Sequence, residues 1–172
     1  MSYFQAVLDG YSLFHNPEYV EDRLKAGVIF GAFVDGRLAG FVGEHHEGSM
    51  GMLEVFPPYR GHGLGLALES FQINRYLSQG RVPFDQVIVG NEKSMSLQKK
   101  VGMELSKDTM SWLHRKKNPT QPGSMPDGSL RAEAYLEGEM HTAKITPENL
   151  PGSCTDAAGT LRGRYGGAVG AL

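Results

Sequence analysis

The chain has a single cysteine, Cys154, in 172 residues. That excludes an intramolecular disulfide framework and a cysteine-rich zinc site, and it fits a reducing, cytoplasmic setting. Charge of one sign is also lacking: 17 basic residues against 19 acidic ones leave a net −2, so neither nucleic acid nor an anionic membrane surface is expected as a partner. No apolar run approaches the ~20 residues of a membrane span. The opening Met1-Ser2-Tyr3-Phe4-Gln5 lacks the basic region and apolar core of a secretory leader. With 40% hydrophobic and 21% charged residues, the chain has the composition of a globular protein.

Apolar residues are also scarce in one part of the chain. Leu, Ile, Val and Phe number 33 of the 117 residues through Lys117 but only 7 of the 55 that follow, where Gly and Pro number 14. The change falls at His114-Arg115-Lys116-Lys117-Asn118-Pro119, a basic run and then a breaker. The expectation is one folded domain over 1–117. Residues 118–172 then form a low-complexity, mostly disordered tail, with too little apolar surface to offset ordering entropy. Leu130 to Met140 is the one stretch there that suggests a weak helix.

Within 1–117 the periodicities follow one another clearly. Val7, Tyr11 and Phe14, then Tyr19, Val20 and Leu24, fall at near-helical spacing, and Asn16-Pro17 divides them into two short helices closed by Gly27. Val28 to Val34 is β-branched and aromatic, and Asp35-Gly36 is a hairpin signal. Arg37 to His45 returns, and Met50 to Phe56 follows the Glu47-Gly48-Ser49 turn. After Pro57-Pro58 come a glycine-rich loop, a helix over 64–79, a strand over 82–89, a helix over 94–101, and one or two strands over 103–113. This order predicts an α/β (α+β) fold with a mixed, mostly antiparallel sheet flanked by helices.

The loop reads Pro58-Tyr59-Arg60-Gly61-His62-Gly63-Leu64-Gly65-Leu66. Three alternate glycines between a strand and a helix let consecutive amides turn toward one concavity, and the helix start adds orphan N–H groups and partial positive charge. Such a cradle suits a pyrophosphate. No Gly-Lys-Ser/Thr follows, as a Walker loop requires. The dinucleotide fingerprint fails at Leu66 and Leu68, which stand where its last Gly or Ala belongs.

The pattern Arg-x-x-Gly-x-Gly, carried by Arg60, Gly63 and Gly65, resembles the acetyl-CoA signature of the GNAT acyltransferase superfamily. A second stretch, Asn91-Glu92-Lys93-Ser94-Met95-Ser96-Leu97-Gln98 through Gly102-Met103, resembles that superfamily's later motif, with Met103 at its aromatic position. The stretch Gly48-Ser49-Met50-Gly51-Met52-Leu53-Glu54-Val55 followed by Tyr59-Arg60 is similar to the FR47-like branch. The resemblance covers roughly 28–113. It implies an N-acetyltransferase in which an amine of a small molecule attacks acetyl-CoA directly.

It further implies that the amides of Leu53 and Val55, with Phe56 adjacent, hold the pantetheine arm and the acetyl carbonyl. The amides of Gly61, His62, Gly63, Leu64, Gly65 and Leu66 hold the pyrophosphate, and Arg60 frames the loop. Asn91 lies either by the pantetheine or at a helix start as its N-cap. The tyrosine that often protonates the departing sulfur is replaced by Gln98, which cannot act as an acid. Candidate bases are Glu44, His45, His46, Glu47 and Glu54, of which His45 has the most suitable ordinary pKa. The two histidines have no third ligand at metal-binding spacing. Trp112 and Phe84 are expected in the core or a pocket wall. GNAT folds begin with a strand before the two helices, and this chain begins within the helices. A missing first strand would expose a sheet edge, favouring a homodimer, and would support the alternative of an inactive CoA-binding module.

Overall fold

The structure, a computed structural model, describes residues 3–11, 16–115, 134–144 and 168–172. Two short helices, α1 (Phe4–Gly10) and α2 (Pro17–Lys25), come first. Asn16 caps α2, its side chain accepting the Tyr19 N–H at 3.1 Å, and Pro17 stands at the first helical position, where a missing N–H costs nothing. Strands β1 (Phe30–Val34) and β2 (Arg37–Glu44) are joined by Asp35-Gly36, both at positive φ (49° and 73°), a hairpin turn that matches the strand twist. β3 (Met50–Val55), a single 3₁₀ turn at Pro57–Tyr59, α3 (Leu64–Ser78), β4 (Phe84–Ile88), α4 (Glu92–Lys100) and β5 (Glu104–Arg115) follow. β6 (Ala134–Lys144) and β7 (Ala168–Ala171) complete the described elements.

The seven strands form one sheet in the order β5-β6-β4-β3-β2-β1-β7. Every pairing is antiparallel except β3 with β4. The mixed, mostly antiparallel sheet flanked by helices is therefore as the sequence predicts. β2 is buried without a break from Ala39 to Gly43, as befits a strand covered on both faces. One cover is α1 and α2, whose Val7, Leu8, Tyr11 and Val20 pack on Ile29, Phe41 and Met52. The other is α3, which buries Leu64, Ala67 and Leu68 against Ala32, Ala39 and Val42, and Ile73 and Tyr76 against Met50, Val101 and Met103. Among the described residues no helix is long and apolar enough to cross a membrane.

The boundary expected at Asn118 is not a boundary of the fold. β6 lies between β4 and β5 and pairs with both, from Phe84↔Lys144 to Ile88↔Met140 and from Glu104↔Lys144 to Arg115↔Ala134. Mean composition misses this because a sheet position needs a short stretch of backbone donors and acceptors, not a segment-wide supply of apolar residues. The weak helix expected over 130–140 is a strand from Ala134 onward. Leu136 and Met140 are four apart, a spacing that shares one face in a helix and in a strand alike. The rest of the expected tail, 118–133 and 145–167, lies outside the described residues.

The exposed first edge is likewise corrected. β7 pairs antiparallel with β1, from Phe30↔Ala171 to Phe33↔Ala168, and the Leu172 N–H donates to the Ile29 carbonyl at 3.0 Å. The Leu172 side chain packs on the α1–α2 core. The edge that argued for pairing with a second copy, and for an incomplete and inactive domain, is covered by this chain's own residues.

Gly40 in β2 faces β3 so closely that a Cβ would come 2.5 Å from the Glu54 carbonyl oxygen and 3.1 Å from the Val55 Cα. Both are backbone atoms and neither can rotate away. Gly40→Ala is expected to destabilise the fold by about 1–3 kcal/mol, read from the urea midpoint; an unchanged midpoint would show that β3 yields here.

Candidate active site

The sheet opens between β3 and β4. These parallel neighbours pair at Met50↔Asp85 and nowhere beyond it. Just downstream, β3 carries a bulge: Phe41 lies opposite Glu54 and Gly43 opposite Gly51, so three steps on β3 answer two on β2. Met52 at the bulge has φ 51°, in the left-handed region, and is buried. The extra residue changes which face each side chain takes. Met50 joins the α3 core, Met52 the α1–α2 core, and Leu53 and Val55 the α3 core again.

It also sets the backbone. The Phe56 N–H donates to the Ala39 carbonyl on the β2 side. By alternation, the amides of Val55 and Leu53 point the other way, into the opening. The Val55 carbonyl on that side accepts from Arg60 Nε at 2.7 Å, and Arg60 Nη2 donates to Glu54 Oε1 at 2.8 Å. Arg60 thus folds the glycine loop back onto the strand it follows.

The loop passes through Gly61 at φ 79° and Gly63 at φ 83°, and a Cβ on either would meet nothing within 4 Å. Gly63 is the N-cap of α3 and no side chain caps it, so the first amides of α3 keep their donors turned toward the opening. The resulting cleft, of about 590 Å³, is lined by Leu53, Val55, Arg60, Gly61, Gly63, Leu64 and Gly65 on one side, and by Asn91, Lys93, Ser94 and Lys100 on the other. That volume is in the range of small-molecule sites. Bare amides, a helix start, Arg60, Lys93 and Lys100 together fit a polyanionic ligand.

Not every residue singled out in the sequence reaches this cleft. Phe56 turns into the α1–α2 core beside Phe41, while His62 and Leu66 face solvent. Asn91 caps α4, as one of its two expected roles has it, accepting the Ser94 N–H at 3.2 Å, and it also lines the cleft. Glu44 lies outside the cleft lining, bound by Arg81 at 2.8 and 3.0 Å and by Arg75 at 3.4 Å. Burial works to raise its carboxyl, but the hydrogen bonds and charge of Arg81, with help from Tyr76 and Arg75, hold it below the usual range. Glu54 lines the cleft and is tied to Arg60. Exposed His46 faces Asp22 at 3.4 Å. Glu47 accepts from Ser49 Oγ at 2.5 Å. Trp112 Nε1 donates to Gln86 Oε1 at 2.7 Å, and neither Trp112 nor Phe84 lines the cleft.

His45 lies on the cleft wall. Its Nδ1 shares a 2.5 Å hydrogen bond with the Tyr19 hydroxyl, and its ring covers Gly51, where any Cβ would overlap Nε2. Burial pushes its pKa below the ordinary value, against the opposing charge of Glu47, so the ring is neutral at physiological pH. Tyr19 is pushed up to about 12, first by burial and then by Glu47, and keeps its proton.

A second polar group sits on the α3–α4 side of the cleft. Glu69 (α3) and Asp85 (β4) both line it, 2% and 6% exposed, with Gln98 (α4) 2% exposed beside them. Gln98 Nε2 donates to Glu69 Oε1 at 3.4 Å. Asp85 Oδ1, Gln98 Oε1 and both amide atoms of nearby Gln72 have no hydrogen-bond partner among the described residues. Burial pushes Glu69 up to about 7; burial and then the Glu69 charge push Asp85 up to about 8. Sequence reading does not find this pair, because Glu69 stands amid apolar residues in α3 and Asp85 in a short strand. Only the packing of α3 against the sheet brings them to one cleft.

Comparison with known proteins agrees with this geometry. The family described as FR47-like protein matches residues 29–113. Among curated proteins none matches. Solved structures with the same fold include a ribosomal-protein-alanine N-acetyltransferase from Brucella melitensis. It is 16% identical, covers 84% of this chain and 94% of its own, and has a TM-score of 0.56. Arabidopsis thaliana Naa50, in complex with the bisubstrate analogue CoA-Ac-MVNAL, is 18% identical over 84% of this chain and 93% of its own, with a TM-score of 0.56. The yncA structure from Salmonella typhimurium, with its cofactor acetyl-CoA, is 18% identical over 84% and 83%, with a TM-score of 0.52. At these identities the likeness is one of fold.

The carboxyl pair has a consequence for stability. The unfolded chain loses both protons near pH 4, whereas the folded chain retains them up to about pH 7 and 8. The folded state therefore binds more protons across that window, and stability falls as pH rises through it. His45, with its lowered pKa, acts in the opposite sense but only below its ordinary 6.5. Between pH 6.5 and 8.5 the melting temperature is expected to fall, and Glu69→Gln with Asp85→Asn should flatten the decline. A slope that survives both substitutions would assign it to other groups.

Proposed function

Residues 29–113 belong to the FR47-like family within the GNAT superfamily of acetyltransferases, and on that premise we infer that this chain transfers an acetyl group from acetyl-CoA to a primary amine of a small molecule. The observation that carries the reading is the parted β3–β4 pair opening onto an uncapped, glycine-rich helix start. Acetyl-CoA supplies an activated acyl carbonyl. The amides of Leu53 and Val55 would hold the pantetheine arm and orient the carbonyl, and the amides from Gly61 to Leu66 would take the pyrophosphate. Arg60 keeps the loop closed, and Lys93 and Lys100 add positive charge at the mouth.

An attacking amine must shed a proton, and His45 is the base best suited to take it. Arg81 and Arg75 occupy Glu44, and Arg60 occupies Glu54. His45 is neutral and fixed by Tyr19. In the productive tautomer Nδ1–H donates to Tyr19 Oη, leaving Nε2 to accept on the cleft side.

Two outcomes test this. Gly63→Val, placed where φ is 83° but no atom obstructs a side chain, is expected to abolish acetyl-CoA binding by calorimetry with the circular dichroism spectrum kept; retained affinity would refute the cradle. His45→Gln is expected to lower kcat on the order of 10²-fold with acetyl-CoA affinity intact, in an assay of free CoA release against a panel of amines. Binding without turnover on any amine would point instead to a CoA-binding module.

A further inference from the structure

One proton remains unassigned in that reaction, the one the departing sulfur takes. At the position where the resemblance implies a tyrosine, α4 carries Gln98, which has no proton to give. Gln98 is buried and aimed at Glu69, donating to Oε1 at 3.4 Å. Glu69 reaches the same cleft from the neighbouring helix, opposite His45, and is itself 2% exposed. Asp85 completes the wall from β4 at the closed end of the parted strands, its Oδ1 without a partner among the described residues.

Building on the acetyl-transfer reading, we propose that Glu69 is the acid that protonates the CoA sulfur, with Gln98 as the residue that positions its carboxyl. The amine nitrogen bonds to the acetyl carbon and the carbon–sulfur bond breaks. The sulfur takes the Glu69 carboxyl proton, leaving a carboxylate. The amine's proton goes to His45 Nε2 and on to water, and Glu69 regains one from water once product leaves, so protons balance. Burial first, against the Gln98 hydrogen bond, keeps that proton in place near neutrality. Two such carboxyls in one desolvated wall cannot both ionise cheaply, so Asp85 keeps its own proton beside an ionised Glu69. The titratable groups facing the cleft around Glu69 are Asp85 from β4, Glu54 from β3, Tyr59 and Arg60 from the turn and loop after it, His45 beyond β2, Tyr11 beyond α1, and Lys93 and Lys100 from α4.

The test uses the full chain. Glu69→Gln is expected to lower kcat on the order of 10²-fold and remove the alkaline limb of its pH profile, with acetyl-CoA affinity by calorimetry unchanged. In the free protein, the infrared band of a protonated buried carboxyl at neutral pH should weaken in Glu69→Gln and persist in His45→Gln. Gln98→Leu removes the hydrogen bond that lowers Glu69 and should move the alkaline limb to higher pH. It decides the matter if Glu69→Gln does not fold. An unchanged kcat and limb in Glu69→Gln, or a limb that Gln98→Leu does not move, overturns the acid role while acetyl transfer stands. Failure of the unsubstituted chain to bind acetyl-CoA overturns both.

Discussion

Two neighbouring strands that separate leave backbone donors and acceptors unpaired, an arrangement a buried sheet tolerates only where something else bonds them. β3 and β4 meet at Met50 and Asp85 and then part. The bulge at Met52 makes the parting possible by turning β3 off the regular ladder while β2 holds it on the other side. Part of the need is met internally, since Arg60 reaches back to the Val55 carbonyl. The amides of Leu53 and Val55 face the gap. The glycine loop and the uncapped start of α3 stand at the open end of this gap, so the donors of strand, loop and helix converge.

The gap also divides the chemistry by face. On the α1–α2 side stands His45, neutral and braced by Tyr19. On the α3–α4 side stand Glu69, Asp85 and Gln98, with protonated carboxyls near neutrality. A proton acceptor on one side and a proton store on the other, each tuned by desolvation, suit a reaction in which one proton leaves the nucleophile and another joins the leaving group. The charged residues outside the cleft do different work. Glu44 with Arg75 and Arg81, and Arg81 over the Tyr76 ring at 3.9 Å, tie α3 and the segment after it to β2.

The elements from Phe4 to Arg115 were largely legible in the sequence. Their signals are local: the Asn16-Pro17 cap, the Asp35-Gly36 hairpin and the Gly61-His62-Gly63 loop each act within a few residues of themselves. Of the expected site, the end of β3 and the loop without its exposed His62 and Leu66 line the cleft with His45 and Asn91. Phe56 does not, because its side chain turns into the core after the bulge. Strands β6 and β7 were not legible. Ala134–Lys144 and Ala168–Ala171 carry weak intrinsic preferences, and what makes them strands is the presence of an unpaired neighbour: β4 and β5 for one, β1 for the other.

The sequence by itself determined the order of the elements through β5, the glycine cradle and the absence of an ionisable group at Gln98, because each depends on residue type and near spacing. Tertiary structure alone decided that Glu44 is held by arginines away from the cleft and that His45 bonds Tyr19. It also decided that Glu69 and Asp85 share one desolvated wall, and that the last residues cover the first edge of the sheet. Those outcomes depend on which surfaces meet across the fold, on solvent exclusion and on charge at short range, none of which is a property of any segment alone.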